Sequence, residues 1–567
     1  MFNTLPKNVL EFMDWPWSHI EPYYQDLANR PMDEKTITRW LADWTRLGEL
    51  LYETYQRLYV ATTVDTTAAE AARRYDAFLD DIYPNSQAAD QKLKEKLLAS
   101  RLQPEGFAIP LRNIKAQADL FREQNLPLLA EELKLSNEYD KIIGAQTVEW
   151  EGKEVTIPQL QPVYQDPARP LRERAWRLAA ERQLADRQAV SELWDKLLDV
   201  RVRIAENAGF PDYRAYRWQQ LLRFDYTPED SLRFHQAIEE VVVPAVERIY
   251  ERRRHKLGVS TLRPWDLDVD PLSRPPLRPF QTVAELEEKT AVIFNRLDPQ
   301  LGEYFEAMRR ESLLDLDNRK GKAPGGYCTD FPVARRPFIF MNAVGIHDDV
   351  QTLLHEGGHA FHVFEAAHLP YIQQLEVPTE FAEVASTGME LLAAPYLSTA
   401  QDGFYSEAEA ARARVETLEG LVRFWPYMAV VDAFQHWVYE NPDEARNPEN
   451  CDARWGELWQ RFIRGVDWSG LDQELVTGWQ RKGHIHQVPF YYIEYGLAQL
   501  GALQVWQNAL VDQPAAVQAY RASLALGGTA SLPDLFATAG AKFAFDVDTL
   551  HTAVELAERT IAELSEV

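Results

Sequence analysis

Apolar residues recur at intervals of three and four along most of this 567-residue chain, a period that winds them onto one face of a helix and leaves little of the chain for sheet. In 281–297, Val283, Leu286, Ile293 and Leu297 form one stripe, and Thr282 with Glu285 has the spacing of a capping box at its start. Residues 170–205 carry the same period with charges between, and Asn207-Ala208-Gly209-Phe210-Pro211 supplies a stop. The expectation is a mainly α protein whose first 210 residues form a helical lobe. Strand signals are few: TVEW and EVTI flank Glu151-Gly152-Lys153 as a small hairpin, and Pro337 to Asn342 is a short apolar run. Residues 264–280, rich in proline, read as an ordered loop, and no internal repeat or low-complexity tract is visible.

A chain this long buries a core without covalent staples. Its two cysteines, Cys328 and Cys451, stand far apart, so neither a disulfide framework nor a cysteine metal cluster is expected. No basic start followed by an apolar run opens the chain, and no stretch of eighteen apolar residues occurs. These features predict a cytoplasmic protein with no membrane partner. With 60 Lys+Arg against 87 Asp+Glu the net charge is −27, which repels phosphate backbones and argues against nucleic acid.

The segment Leu353-Leu354-His355-Glu356-Gly357-Gly358-His359-Ala360-Phe361-His362 holds H-E-x-x-H inside a helical pattern. At about 100° per residue, His355 and His359 lie about 40° apart and one turn along the axis, so both imidazoles reach one metal. Glu356 sits about 100° round from His355, placed to address a metal-held water as general base without becoming a ligand. Composition alone yields about 0.04 such matches in a chain of this size. Gly357 and Gly358 each cost a helix about 1 kcal/mol relative to alanine, which calls for a substrate or a packed strand close to that backbone.

A catalytic zinc site needs a third protein ligand and an open position. The extension H-E-x-x-H-x-x-G-x-x-H fails, because His362 and Glu365 stand where glycine and histidine are required, and a glutamate at 378, the spacing of another group, is Pro378. In Val377-Pro378-Thr379-Glu380-Phe381-Ala382-Glu383, Glu380 falls in the first turn of a helix, where the dipole favours an acid without any metal. Glu383, carried inward among apolar neighbours, is the better ligand. Glu390, about 20° from Glu383 around the helix, either supports a ligating histidine or is a solvated charge. Further on, Tyr492 and Tyr495 are three apart, on one face if the segment is helical, and serve either as core and cleft-wall rings or as donors to an oxyanion.

HEGGHAFH, EFAEVASTGMELL at 380–392, GKAPGGYC at 321–328 followed by RPFIFMN, and HIHQVPFYYIEYGLAQLGALQ at 484–504 together resemble the thimet oligopeptidase family, and within it the oligoendopeptidase F branch. The resemblance covers most of the chain from about residue 200 onward. It implies a large helical metallopeptidase with a deep substrate channel between lobes and minor sheet near the site, its catalytic region spanning 211–567. It implies one Zn²⁺ per chain held by His355, His359 and Glu383, catalytic roles for Tyr492, Tyr495 and His484 beside Glu356, and short unfolded peptides as substrates of an endopeptidase. His486 stands where the pattern favours an aromatic residue, and His362 and His436 read as packing or surface residues. The run beginning at Phe338 is implied to be an edge strand to which peptide backbone adds, or else an ordinary buried strand. Gly325-Gly326-Tyr327 is either a loop that closes over peptide or a simple turn. A helical zinc carboxypeptidase and a peptide-binding scaffold without a working site are the alternative readings.

Overall fold

The computed structural model describes residues 1–65, 67–319, 321–323 and 325–566, so Pro324 of the 321–328 motif lies outside the described residues. Helix α1 (Ile37–Val64) turns Trp40, Leu41, Trp44, Leu47 and Leu51 inward at helical spacing. They enter an apolar cluster that runs from Phe2 to Ile114 and is separate from the main core. Strands β1 (Thr147–Trp150) and β2 (Lys153–Thr156) form the hairpin, turned at Glu151 and Gly152 with φ of 50° and 77°, values that suit the tight turn.

The period over 170–205 predicts one helix, but the chain forms two, α2 (Arg169–Ala185) and α3 (Arg187–Ala208), broken at Asp186. The Asp186 carboxylate accepts hydrogen bonds from Gln146 Nε2 (2.9 Å) and Arg182 Nη1 (2.8 Å), side-chain partners that the periodicity does not reveal. Helix α4 (Tyr213–Gln220) follows, then α5 (Val283–Leu297). At the start of α5, Thr282 Oγ1 accepts from the Glu285 amide (3.2 Å), but the Glu285 carboxylate accepts from Gln281 (2.9 Å), so only half of the capping box forms. Between α4 and α5, residues 264–280 hold a short 3₁₀ turn at Pro264–Asp266 and a second turn at 271–272, and otherwise run as a loop.

Strands β3 (Leu314–Asp317), β4 (Tyr327–Phe331) and β5 (Arg336–Ala343) make a three-stranded sheet in the order β3-β5-β4. The expectation of an edge strand at Phe338 is therefore corrected: β5 is the central strand, parallel to β3 and antiparallel to β4, and β4 is an edge. The reason is burial on both faces, since Pro337 to Met341 are all buried while Tyr327 to Asp330 are only partly so.

Helix α6 (His347–Ala366) packs on the sheet against β4 and β5, and it is followed by α7 (Thr379–Ala393), the long α8 (Glu407–Glu440), the short α9 (Gly483–Gln487) and α10 (Tyr492–Val511). The first turn of α6 is fixed by Asp349, whose Oδ2 accepts from the amides of Val344 (2.9 Å), Gly345 (2.8 Å) and Ile346 (2.9 Å). Helix α7 packs between α6 and α10 and is buried along most of its length. No helix of the described residues is long and apolar enough to cross a membrane.

Candidate metal centre and active site

Helices α6 and α7 cross where α6 carries two glycines. A Cβ on Gly358 would lie 2.5 Å from the Ala385 carbonyl oxygen and 2.6 Å from Ser386 Cα, and one on Gly357 would lie 2.6 Å from Phe294 Cζ. The close neighbours are therefore a helix backbone and a ring of α5, rather than the substrate or strand that the glycines alone suggest. This approach brings Glu383 of α7 over His355 and His359 of α6.

The three side chains converge. His355 Nε2 is 3.4 Å and His359 Nε2 3.8 Å from Glu383 Oε2, and the donor atoms all lie within 4.8 Å of one another. The two rings stand nearly perpendicular, with centroids 5.1 Å apart, as imidazoles one turn apart do when they aim at one point. Ser386 Oγ donates to Glu383 Oε2 (3.0 Å), and Glu390 Oε1 lies 2.7 Å from His355 Nδ1. Burial lowers the pKa of His355, yet the hydrogen bonds to Glu383 and Glu390 carry it well above the ordinary value. Glu383 is held down at about 2 by the two histidines in spite of its burial. His359 is lowered to about 4, mainly by burial.

Glu356 is 8% exposed on the next residue of α6. Burial pushes its carboxyl up to about 7, against the lowering effect of His355 and of a hydrogen bond from the Cys328 amide on the edge strand β4. Glu380, by contrast, points away from the histidines. It is buried, accepts from Tyr226 Oη (2.7 Å) and sits 3.6 Å from Arg223.

The turn before α10 supplies a third wall. Tyr491 Oη donates to Glu383 Oε1 (3.4 Å), a contact that the sequence spacing did not bring out. Tyr495, one turn on, stacks edge-on to Tyr491 at 5.2 Å, and the charge of Glu383 acts on both phenols. Tyr492 is only 4% exposed and packs on Phe424, Tyr427 and the Lys482 ammonium, 4.2 Å from its ring. His484 lies 4.9 Å from Tyr492 and 6.0 Å from Tyr495, centroid to centroid. Two residues on, His486 is fully buried and stacks on Tyr139 (4.3 Å) and Trp479 (5.9 Å), so it fills the aromatic position that the motif favours. His362 and His436 are both buried rather than superficial.

Three arginines hold this turn by its carbonyl oxygens. Arg201 donates to Ile485 (3.3 Å) and His486, Arg217 to Pro489 (3.1 Å), and Arg223 to Phe490. Arg201 and Arg217 lie on helices α3 and α4, where a charge at such a spacing commonly faces solvent, and Arg223 lies just beyond α4, so no sequence signal distinguishes them.

The donor set suits a divalent cation of intermediate softness: two imidazole nitrogens and a carboxylate. Glu383 and Glu390 have only histidines as ion-pair partners, and Glu356 has none, so among the described residues three carboxylates gather without a lysine or arginine to balance them. Beside the donors opens a cavity of about 350 Å³, lined on one side by α6 and α7 and on the other by β4.

A helix bearing H-E-x-x-H, crossed by a second helix that contributes a carboxylate, defines the zincin class of metallopeptidases. The sequence model of peptidase family M3 matches residues 163–554, and the chain belongs to that family. It is similar to the chromosomal oligoendopeptidase F of Lactococcus lactis subsp. cremoris, 24% identical over 375 residues that make up 65% of this chain and 60% of that protein. It is likewise 24% identical over 331 residues to the oligopeptidase PepF of Bacillus subtilis, covering 57% of this chain and 47% of that one. The chain thus spans about half to three-fifths of the curated relatives it matches. Among solved structures, Pz peptidase A with an inhibitor aligns over 100% of this chain and 99% of its own, with TM-score 0.87 and 27% identity.

Proposed function

We propose that the protein is a zinc-dependent endopeptidase of short, unfolded peptides, and the observation that carries this reading is the convergence of His355 Nε2, His359 Nε2 and a Glu383 oxygen within 4.8 Å. Those three residues would hold one Zn²⁺ per chain. The ion supplies a Lewis acid that polarises a peptide carbonyl and acidifies water at neutral pH.

Glu356 is the general base. It takes a proton from the attacking water and passes it to the leaving amine, and its raised pKa near 7 suits a group that must do both. Tyr495, Tyr491 and His484 donate to the oxygen on which charge develops, each donor worth on the order of 3 kcal/mol in such a site. Tyr492 packs edge-on against the His484 ring at 4.9 Å and positions it. The edge strand β4 is where peptide backbone adds, since it lines the cavity beside His359 and Glu383.

The same proposal divides the chain into a lobe over 1–210 and a catalytic region over 211–567. Tyr52 and Glu53 of the first reach Asp330 and the Ala334 amide of the second, 3.1 Å and 3.0 Å away. A cytoplasmic location belongs to it too, and the free thiols of Cys328 and Cys451 suit a reducing compartment. Internal cutting and peptide substrates are what the names of the similar proteins support. The Glu356→Gln variant tests the reading: turnover of a quenched decapeptide falls about 10²- to 10⁴-fold while fold and zinc content stay as in the wild type. Undiminished turnover would refute the role of Glu356, and product masses from the same peptide separate internal cuts from trimming at its C-terminus.

A further inference from the structure

Strand β4 crosses the cavity beside the donor cluster, and its Asp330 lies on the cavity wall together with Arg335, opposite Val363, Ala366 and Ala382 of α6 and α7. Around Asp330 the charges do not cancel. Arg335 pairs with Glu49 (2.8 Å) and Arg57 with Glu53 (2.8 Å), so three carboxylates share two guanidiniums, and among the described residues Asp330 is the one with no ion pair of its own, although the charge of Arg335 still reaches it. The side-chain hydrogen bond it receives among the described residues is that of Tyr52 Oη, at 3.1 Å. Tyr52 is itself 39% exposed and is not part of the cavity lining.

A carboxylate in a partly dry cavity without a direct ion-pair partner is costly, and a ligand that brings a cation recovers part of that cost. The rest of the wall narrows the ligand further. Small aliphatic residues leave room for a long methylene stem, and the carboxylate waits where its tip would arrive, which is the amphipathic profile of a lysine or arginine side chain. We propose that this cavity is a subsite for a basic residue of the substrate, with Asp330 as its ion partner. The assignment rests on the reading of the protein as a peptide-cleaving enzyme and specifies which peptides it prefers. Burial, the largest influence on the Asp330 carboxyl, holds it above the ordinary range, and neither the Tyr52 hydrogen bond nor the nearby charge of Arg335 offsets it. The net charge of −27 adds a long-range attraction of the same sign.

Binding tests the subsite without relying on turnover. The zinc-loaded Glu356→Gln protein is titrated calorimetrically with decapeptides in which lysine, norleucine or glutamate is scanned through each position. At one position lysine is expected to bind about tenfold tighter than norleucine, with the ratio shrinking as salt is raised. Adding Asp330→Asn should bring that ratio to about one, and because each ratio is taken within a single protein, a general loss of affinity cancels. A ratio of about one at every position in the parent protein, which requires no change at Asp330, would overturn the proposal. So would a ratio that survives Asp330→Asn, or a preference for glutamate, which would give the cavity to Arg335. A lysine preference in binding, in a protein whose wild type cleaves none of the peptides, would uphold the subsite and strike the peptidase reading alone.

Discussion

His355 Nδ1 and Glu390 Oε1 lie 2.7 Å apart across 35 residues of sequence. With Nδ1–H donating to the Glu390 carboxylate, Nε2 is the nitrogen left to face Glu383, so this bond sets the ring's direction, and Nε2 is the nitrogen that gives up its proton when an ion binds. Replacing Glu390 by alanine should weaken zinc binding about 10- to 100-fold without unfolding the protein. Competition against a fluorescent chelator measures this, and Glu390→Gln should recover part of the loss.

The crossing of α6 and α7 depends on a missing side chain. A methyl group at 358 would meet the backbone of Ala385 and Ser386, atoms that cannot swing aside. Gly358→Ala should therefore cost about 1–3 kcal/mol and push Glu383 away from the histidines, lowering the urea midpoint and the zinc affinity together. At Gly357 the obstacle is the Phe294 ring, so the paired change Gly357→Ala with Phe294→Leu should be milder than Gly357→Ala alone.

His484 and His486 are two residues apart and should behave oppositely. His486 Nε2 is buried without a hydrogen-bond partner among the described residues, between the Tyr139 and Trp479 rings, so His486→Phe should change stability by under about 1.5 kcal/mol and leave zinc affinity intact. His484→Phe should keep the fold and lower kcat about 10²-fold. Thermal melts and steady-state kinetics on the two variants separate them.

Much of this site is legible in the sequence, and the reason is periodic. H-E-x-x-H fixes two donors on one helix face, and an inward acid in an otherwise apolar helix points to Glu383, with Glu390 seven residues on close to the same face. What the period cannot convey is where a helix begins. Helix α10 starts only at Tyr492, and Phe490 before it has φ of 65°, so Tyr491 sits in the preceding turn and swings to Glu383 while Tyr492 turns into the wall. Arg201 and Arg217, which hold this turn, are equally hidden, because a helical guanidinium bound to carbonyls of a distant segment has the same spacing as one in solvent. The central place of β5 was missed for a related reason: an apolar run states that a strand is buried and says nothing about which neighbour takes its edges.

Behind the site, Glu494 and Glu380 share the single guanidinium of Arg223, 2.7 Å and 3.6 Å away. Burial, then the charge of Glu380, pushes Glu494 up to about 8, while Arg223 pulls the other way. An acid whose folded pKa lies above its unfolded value binds more protons when folded, so its contribution is complete below about pH 4.5 and is lost as pH rises through 8. Folding stability should therefore fall between pH 5 and 8 with a slope of at most about 1.4 kcal/mol per pH unit from this group, and Glu494→Gln should flatten that part of the urea-midpoint profile.

The central claim is that two imidazoles and one carboxylate form a single metal site on which hydrolysis depends. The most direct measurement is the metal content and peptidase activity of the same preparation before and after dialysis against a chelator, for the wild type and for Glu383→Ala. The account predicts one zinc per wild-type chain, activity abolished by chelation and restored by one equivalent of Zn²⁺, and neither tight zinc nor activity in Glu383→Ala. Wild-type protein that keeps cutting peptide with its metal removed, or a Glu383→Ala variant that retains both zinc and turnover, would contradict it.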